Sequence, residues 1–302
     1  MIQGTWWPFL DHLDDLDILA HLSCMERIGI VGLGAIGGSL ALACRDAAPV
    51  LAWSRDAADR EGARAAGIDV CGGDDAEWPR AIAVATILVV AVPMDELAHV
   101  VAALLPHLPD ECLLLHASSL QRREALGLSE TELGRVLGTH PIAGSERSGF
   151  AAADSAMFRG ATVRAEARAT APVRARVETL WRAAGAVRVV WDDAAAHDAL
   201  MAWVSHLSQM ASTALAAVLA EQGISPRDLG PGARDVTRLA KSDFGMWAPI
   251  LAKAPQETVI AMRRLTSALR CLGDALEAHD APTLGRTWNE SRAWRTSAED
   301  PA

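Results

Sequence analysis

Short, unbroken apolar runs recur along the first half of the chain: residues 27–32 (RIGIVG), 50–53 (VLAW), 86–92 (TILVVAV), 112–116 (CLLLH) and 136–139 (VLGT). Runs this short, with no polar alternation, read as strands buried on both faces of a parallel sheet. Stretches of helical spacing lie between them, such as LALACRDA after the first run and DELAHVVAALLPHL after Pro93. Strand alternating with helix predicts an α/β doubly wound domain, with ligands at the carboxyl ends of the strands. From about residue 192 the pattern turns helical. Asp192-Asp193 can cap a helix running to Gly223, Ser225-Pro226 starts another, and Gly230-Pro231-Gly232 marks a break. Trp247, Ile250 and Leu251 read as core or interface in this alanine-rich half.

The first strand runs into Gly32-Leu33-Gly34-Ala35-Ile36-Gly37-Gly38-Ser39, a G-x-G-x-x-G turn that opens a helix. In that setting Gly32 allows the tight turn, Gly34 lets the backbone approach a pyrophosphate, and Gly37 lets helix and strand pack closely. Ala35 and Ile36 supply the helix N-terminus, whose free N–H groups attract phosphate. A Rossmann-type dinucleotide site is expected here, joined by Val92 and Pro93 at the end of the 86–92 strand. At the end of the second strand an NAD enzyme places an acid for the ribose 2′-OH. Here Ser54 and Arg55 stand there instead. Losing the carboxylate removes repulsion toward a 2′-phosphate, and a guanidinium can grip one, so the reading leans to NADP. NAD stands as the alternative, with Arg55 an ordinary surface arginine and Asp56 taking the acidic role one step late.

Composition narrows the picture. The chain has 302 residues, enough for two domains, and is 51% hydrophobic and 22% charged, which excludes disorder and coiled coil. The net charge of −10 offers no electrostatic footprint for nucleic acid or an anionic membrane. No apolar run has the length of a membrane span. Cys24, Cys44, Cys71, Cys112 and Cys271 are scattered with no C-x-x-C, which argues for a reducing, cytoplasmic compartment and against a disulfide frame or a metal cluster. Residues 1–24 lack the features of a secretory signal. They read either as an N-terminal extension or as sequence ahead of a start at Met25. The expected division is 1–24 as extension, 25–190 as dinucleotide-binding domain and 191–302 as helical domain.

The last strand leads into His140-Pro141-Ile142-Ala143-Gly144-Ser145-Glu146-Arg147-Ser148-Gly149. A histidine at the carboxyl edge of a strand can accept a proton near neutral pH, or it can simply cap a loop. One strand away Ser118 and Ser119 hold equivalent places. Further on come His197-Asp198-Ala199, the helical Ser205-His206-Leu207-Ser208-Gln209, and Arg234-Asp235-Val236-Thr237-Arg238-Leu239-Ala240-Lys241-Ser242-Asp243 with Met246-Trp247. From about residue 27 to 265 this combination resembles the prephenate/arogenate dehydrogenase family of tyrosine biosynthesis.

The resemblance implies an NAD(P)-dependent oxidative decarboxylation that aromatises a cyclohexadiene ring, in a homodimer joined through the helical half. It casts His140 as the group that takes the substrate hydroxyl proton and Ser119 as the serine that positions it. Arg238 becomes the clamp on a substrate carboxylate, with Arg234 assisting or else pairing with a neighbour such as Asp235. Glu146, His206 and Gln209 fall on the substrate side. Two departures bear on specificity. Ser208-Gln209 replaces a Pro-His pair found in many members, and His116-Ala117-Ser118-Ser119-Leu120-Gln121 replaces a loop of the form D-x-G-S-V-K. Prephenate, arogenate and a 4-amino analogue of prephenate all remain as substrates on this reading. So does a dinucleotide-binding protein without catalysis.

Overall fold

The computed structural model describes residues 26–71, 77–144 and 147–297. Residues 1–24 and Glu146 therefore lie outside the described residues. Strand β1 (Ile28–Val31) is followed by helix α1 (Ala35–Cys44), β2 (Val50–Trp53), α2 (Ala57–Ala65), the short β3 (Asp69–Val70), α3 (Trp78–Ile82) and β4 (Ile87–Val90). Helix α4 (Leu97–Leu104), β5 (Leu113–His116), α5 (Arg123–Leu126), α6 (Glu130–Arg135) and β6 (Val136–Pro141) come next. Then β7 (Thr162–Glu166), α7 (Ala171–Ala183) and β8 (Arg188–Asp192) complete the sheet. Its strand order is β3-β2-β1-β4-β5-β6-β7-β8. The chain leaves β1 in one direction and returns beside it with β4, so the crevice between their carboxyl ends is the switch point where such sheets bind ligands.

The apolar runs form the centre of this sheet because both faces are covered; β1 and β4 are buried at every position. Three strands lie beyond the expected set: the two-residue β3 beside β2, and β7 and β8 beyond β6. β7 runs antiparallel to β6, with His140 opposite Arg164, and β8 returns parallel to β7. β8 is only half-buried and carries Arg188 and Asp192, so no apolar run announces it. Trp53 stacks on Trp78 at 4.1 Å beneath one face, and Phe158 meets Trp181 edge-on at 5.3 Å beneath the other.

The helical half corrects the sequence reading in two places. The long helix begins at Ala194, with the Asp193 carboxylate accepting from the N–H groups of Ala195 and Ala196. It is α8 (Ala194–Met201), a π-type turn (Ala202–His206) and α9 (Leu207–Glu221). The wide turn keeps Met201, His206 and Gln209 on one buried face although the first two are five positions apart. Ser225-Pro226 opens only a single tight turn, Pro226–Asp228. The next helix, α10 (Pro231–Val236), begins at the expected break, with Gly230 at its cap. Proline is well placed in a first helical turn, where its missing N–H has no partner to lose. A 3₁₀ turn (Arg238–Lys241), α11 (Phe244–Ala252), α12 (Gln256–Glu277) and α13 (Ala281–Thr296) finish the fold. Among the described residues no helix is long and apolar enough to cross a membrane.

Candidate active site

The glycine turn lies at the switch point. Gly32 has a positive φ of 96°, and a Cβ there would overlap the carbonyl oxygen of Ala91, just before Val92. A Cβ on Gly37 would overlap the carbonyl oxygen of Gly32. Gly34 differs: a Cβ there meets nothing within 4 Å. Gly34 is also the N-cap of α1 and offers no side-chain cap. The turn thus opens onto free space at the uncapped N-terminus that Ala35 and Ile36 begin, a setting that fits a dinucleotide pyrophosphate.

At the end of β2, Ser54 is buried and its Oγ accepts the N–H of Asp56 at 3.3 Å. Arg60 donates to the carbonyls of Ser54 and Arg55, at 2.5 and 2.8 Å, and so stiffens the turn. Arg55 is largely exposed and reaches Glu96, beyond β4, at 3.1 Å. The Asp56 carboxylate is committed to capping α2, where Oδ1 accepts from Ala58 and Asp59. These bonds place a guanidinium, rather than a carboxylate, at the tip of β2.

His140 sits near the end of β6 and is half-buried. Its Nδ1 lies 3.0 Å from Nε2 of His197 at the start of α8. His197 Nδ1 in turn lies 2.8 Å from Oδ1 of Asp198. The buried Asp198 carboxylate also accepts the backbone N–H groups of Gln121 and Arg122, at 2.8 and 2.9 Å, and faces the Arg122 side chain at 3.3 Å. Burial opposes ionisation of Asp198. The His197 bond and the two backbone donors outweigh it and hold the carboxyl below its usual range. For His140, burial and the neighbouring His197 push the imidazole down to about 3, so the ring is neutral and able to accept a proton.

Gln121 and Arg122 end the loop that carries Ser118 and Ser119. His116, fully buried at the end of β5, accepts the Ser118 N–H on Nδ1 at 3.3 Å. Burial, with Arg168 nearby, holds His116 down to about 3, which preserves that acceptor. A neutral imidazole thus serves here as the loop's acceptor. Ser119 is half-buried on this loop, and among the described residues its hydroxyl bonds to no protein group. The loop is packed from the helical half by Ile250 of α11, which lies against Leu120 and Met94.

The other expected substrate residues lie along the helical rod. His206 is buried, with Nδ1 2.9 Å from Thr258 Oγ1 and its ring edge-on to Trp247. Gln209 is also buried. Its Nε2 donates to the Leu239 carbonyl at 2.9 Å, and its Oε1 accepts from Ser242. These bonds fasten the turn that begins at Arg238, so Gln209 acts on that turn rather than reaching outward. Arg234 and Arg238 are exposed, and among the described residues neither makes an ion pair. Asp235 does not pair with Arg234. His197 and Asp198 received no role from sequence, although an adjacent His-Asp pair one turn into a helix was visible.

The chain matches family models along most of its length. Residues 40–189 match "Prephenate dehydrogenase, nucleotide-binding domain", and residues 193–290 match "Prephenate dehydrogenase, dimerization domain". Among curated proteins, the prephenate dehydrogenase of Lactococcus lactis subsp. cremoris is 25% identical over 288 residues, covering 91% of this chain and 78% of the relative. The cyclohexadienyl dehydrogenase of Zymomonas mobilis is 24% identical over 287 residues, covering 91% and 96%. Among solved structures, A. aeolicus prephenate dehydrogenase in complex with hydroxyphenyl propionate and NAD+ superposes with a TM-score of 0.80 at 23% identity, covering 91% and 98%. Synechocystis arogenate dehydrogenase gives 0.71 at 22% identity, covering 90% and 99%.

Proposed function

The chain belongs to the prephenate dehydrogenase family, and from that premise we propose that it oxidatively decarboxylates prephenate or arogenate with NADP as the preferred hydride acceptor. The products are 4-hydroxyphenylpyruvate or tyrosine. The observation that carries this reading is His140: a neutral imidazole at the carboxyl edge of β6 whose Nδ1 is held by His197.

Gly32, Gly34, Ala35, Ile36 and Gly37 would hold the pyrophosphate, and Val92 and Pro93 would flank the nicotinamide side. When bound, the nicotinamide supplies the hydride acceptor. The chain's own residues handle the proton and the charge. His140 takes the hydroxyl proton at Nε2 as the carbon–oxygen double bond forms. The carbon–carboxylate bonding pair then enters the ring as carbon dioxide leaves, and the new phenolate oxygen recovers the proton from His140. No net proton is consumed. Arg238 is free to grip a substrate carboxylate bidentately, with Arg234 beside it. Bound carboxylates favour the imidazolium, so substrate raises the basicity of a histidine that is held low in the free protein. Ser119 keeps an uncommitted hydroxyl near this site.

We read residues 25–190 as the dinucleotide-binding domain and 191–302 as the helical substrate and dimerisation domain. The homodimer is supported by the match to a dimerization domain and by the apolar surface of that half, where Phe244, Leu269, Leu276, Trp288 and Trp294 are exposed.

The NADP preference rests on Arg55 and on the capping role of Asp56. A two-by-two assay, NADP or NAD with prephenate or arogenate, followed as reduced-nicotinamide absorbance, tests both specificities. Turnover is expected with NADP, and Arg55→Ala should weaken NADP about tenfold or more while leaving NAD nearly unchanged. Equal effects on both cofactors would remove Arg55 from 2′-phosphate recognition. Silence with every pair, while the cofactor still binds, would favour the 4-amino analogue of prephenate.

A further inference from the structure

We propose that His140, His197 and Asp198 form one hydrogen-bonded line in which Asp198 sets the tautomer of both imidazoles and leaves Nε2 of His140 bare toward the substrate. This rests on the reading of His140 as proton acceptor and adds His197 and Asp198 as positioning residues.

The line reads from its buried end. Two backbone N–H groups and a guanidinium converge on Asp198, so its carboxylate is an acceptor only. His197 Nδ1, 2.8 Å away, must therefore donate. A neutral imidazole protonated on Nδ1 has its lone pair on Nε2. That Nε2, 3.0 Å from His140 Nδ1, accepts from it. His140 is then protonated on Nδ1, and its Nε2 holds the lone pair that receives the hydroxyl proton. When His140 becomes an imidazolium, its Nδ1–H bond strengthens toward His197, which Asp198 polarises.

The same carboxylate fastens Gln121 and Arg122, and through them the loop of Ser118 and Ser119. One pair at the start of α8 thus aligns both the base and the serine loop. Other groups around His140 do not supply this control. His116 on β5 is turned to the Ser118 N–H, His206 on the π turn to Thr258, and Arg164 on β7 to Asp192.

The test joins spectroscopy with kinetics on the full chain. Nitrogen-15 NMR of the histidine side chains, with His140 assigned by its loss in His140→Asn, should show Nδ1 protonated and Nε2 bare on both His140 and His197 at neutral pH. His140 protonated on Nε2, or His197 as an imidazolium, would overturn the proposal without any activity measurement. His197→Leu should lower kcat about a hundredfold with cofactor Kd unchanged. His197→Gln, which restores an acceptor for His140 Nδ1, should recover at least about tenfold of that loss. A folded His197→Leu with kcat within about threefold of the parent would also overturn it. Turnover surviving in His140→Asn is a different failure, that of His140 as proton acceptor.

Discussion

Replacing His140 with asparagine is expected to lower kcat by about a thousandfold while leaving cofactor affinity unchanged. The side chain stands on β6, away from the glycine turn after β1, so the dinucleotide cradle stays intact. Asparagine can still bond to His197 but has no lone pair basic enough to take a proton. The loss should therefore appear in kcat, since it removes an interaction made as the hydroxyl proton departs. The pH dependence follows from the direction of the shift. Burial and the nearby His197 disfavour the imidazolium of the free protein, so His140 stays neutral well below the ordinary histidine range. The acid limb of kcat/KM due to His140 should accordingly lie below that range. Steady-state rates against pH, with cofactor binding by fluorescence titration, check both parts. Wild-type turnover in His140→Asn would withdraw its assigned role.

Arg238→Ala should reduce kcat/KM by about 10- to 100-fold, the range of a charge-assisted hydrogen-bonded pair. The effect should fall mainly on substrate KM, because a carboxylate is gripped in both ground and transition states. Arg238→Lys should recover only part of it, since a lysine cannot reproduce the bidentate fork. Arg234→Ala should cost less than Arg238→Ala. The Arg238 turn is anchored by Gln209 through the Leu239 carbonyl, and the Arg238 side chain makes no ion pair of its own among the described residues. Its removal should therefore leave thermal stability nearly unchanged. An Arg238→Ala protein with parental KM and kcat would place the carboxylate clamp elsewhere.

Much of this architecture was legible because local chemistry and global position agree. The runs around Ile30, Val89 and Leu115 are apolar without alternation, and they form the sheet's buried centre. The glycine turn was equally plain, since Gly32 and Gly37 admit no Cβ. β7 and β8 escaped because they close the sheet's edge, where half-burial lets charged residues such as Arg164 and Asp192 alternate with apolar ones. The helix after residue 223 was misplaced because Ser225-Pro226 and Gly230-Pro231 are both good starts, and tertiary packing chose the second. At the site, His140 stood out by its place at the end of a strand. His197 and Asp198 did not, since only the packing of α8 against the 118–122 loop brings them behind His140. Gln209 was read as a substrate contact from its position in a motif. Its buried bonds to Leu239 and Ser242 depend on long-range packing that spacing alone does not reveal.

The central claim is that this crevice couples hydride removal to loss of the ring carboxylate. The most direct measurement follows reduced nicotinamide and released carbon dioxide in one sample, with NADP and either prephenate or arogenate. The account predicts that both appear together, one for one, with at least one of the two substrates. Protein that binds the cofactor yet yields neither product from either substrate, or reduced nicotinamide without carbon dioxide, would contradict it.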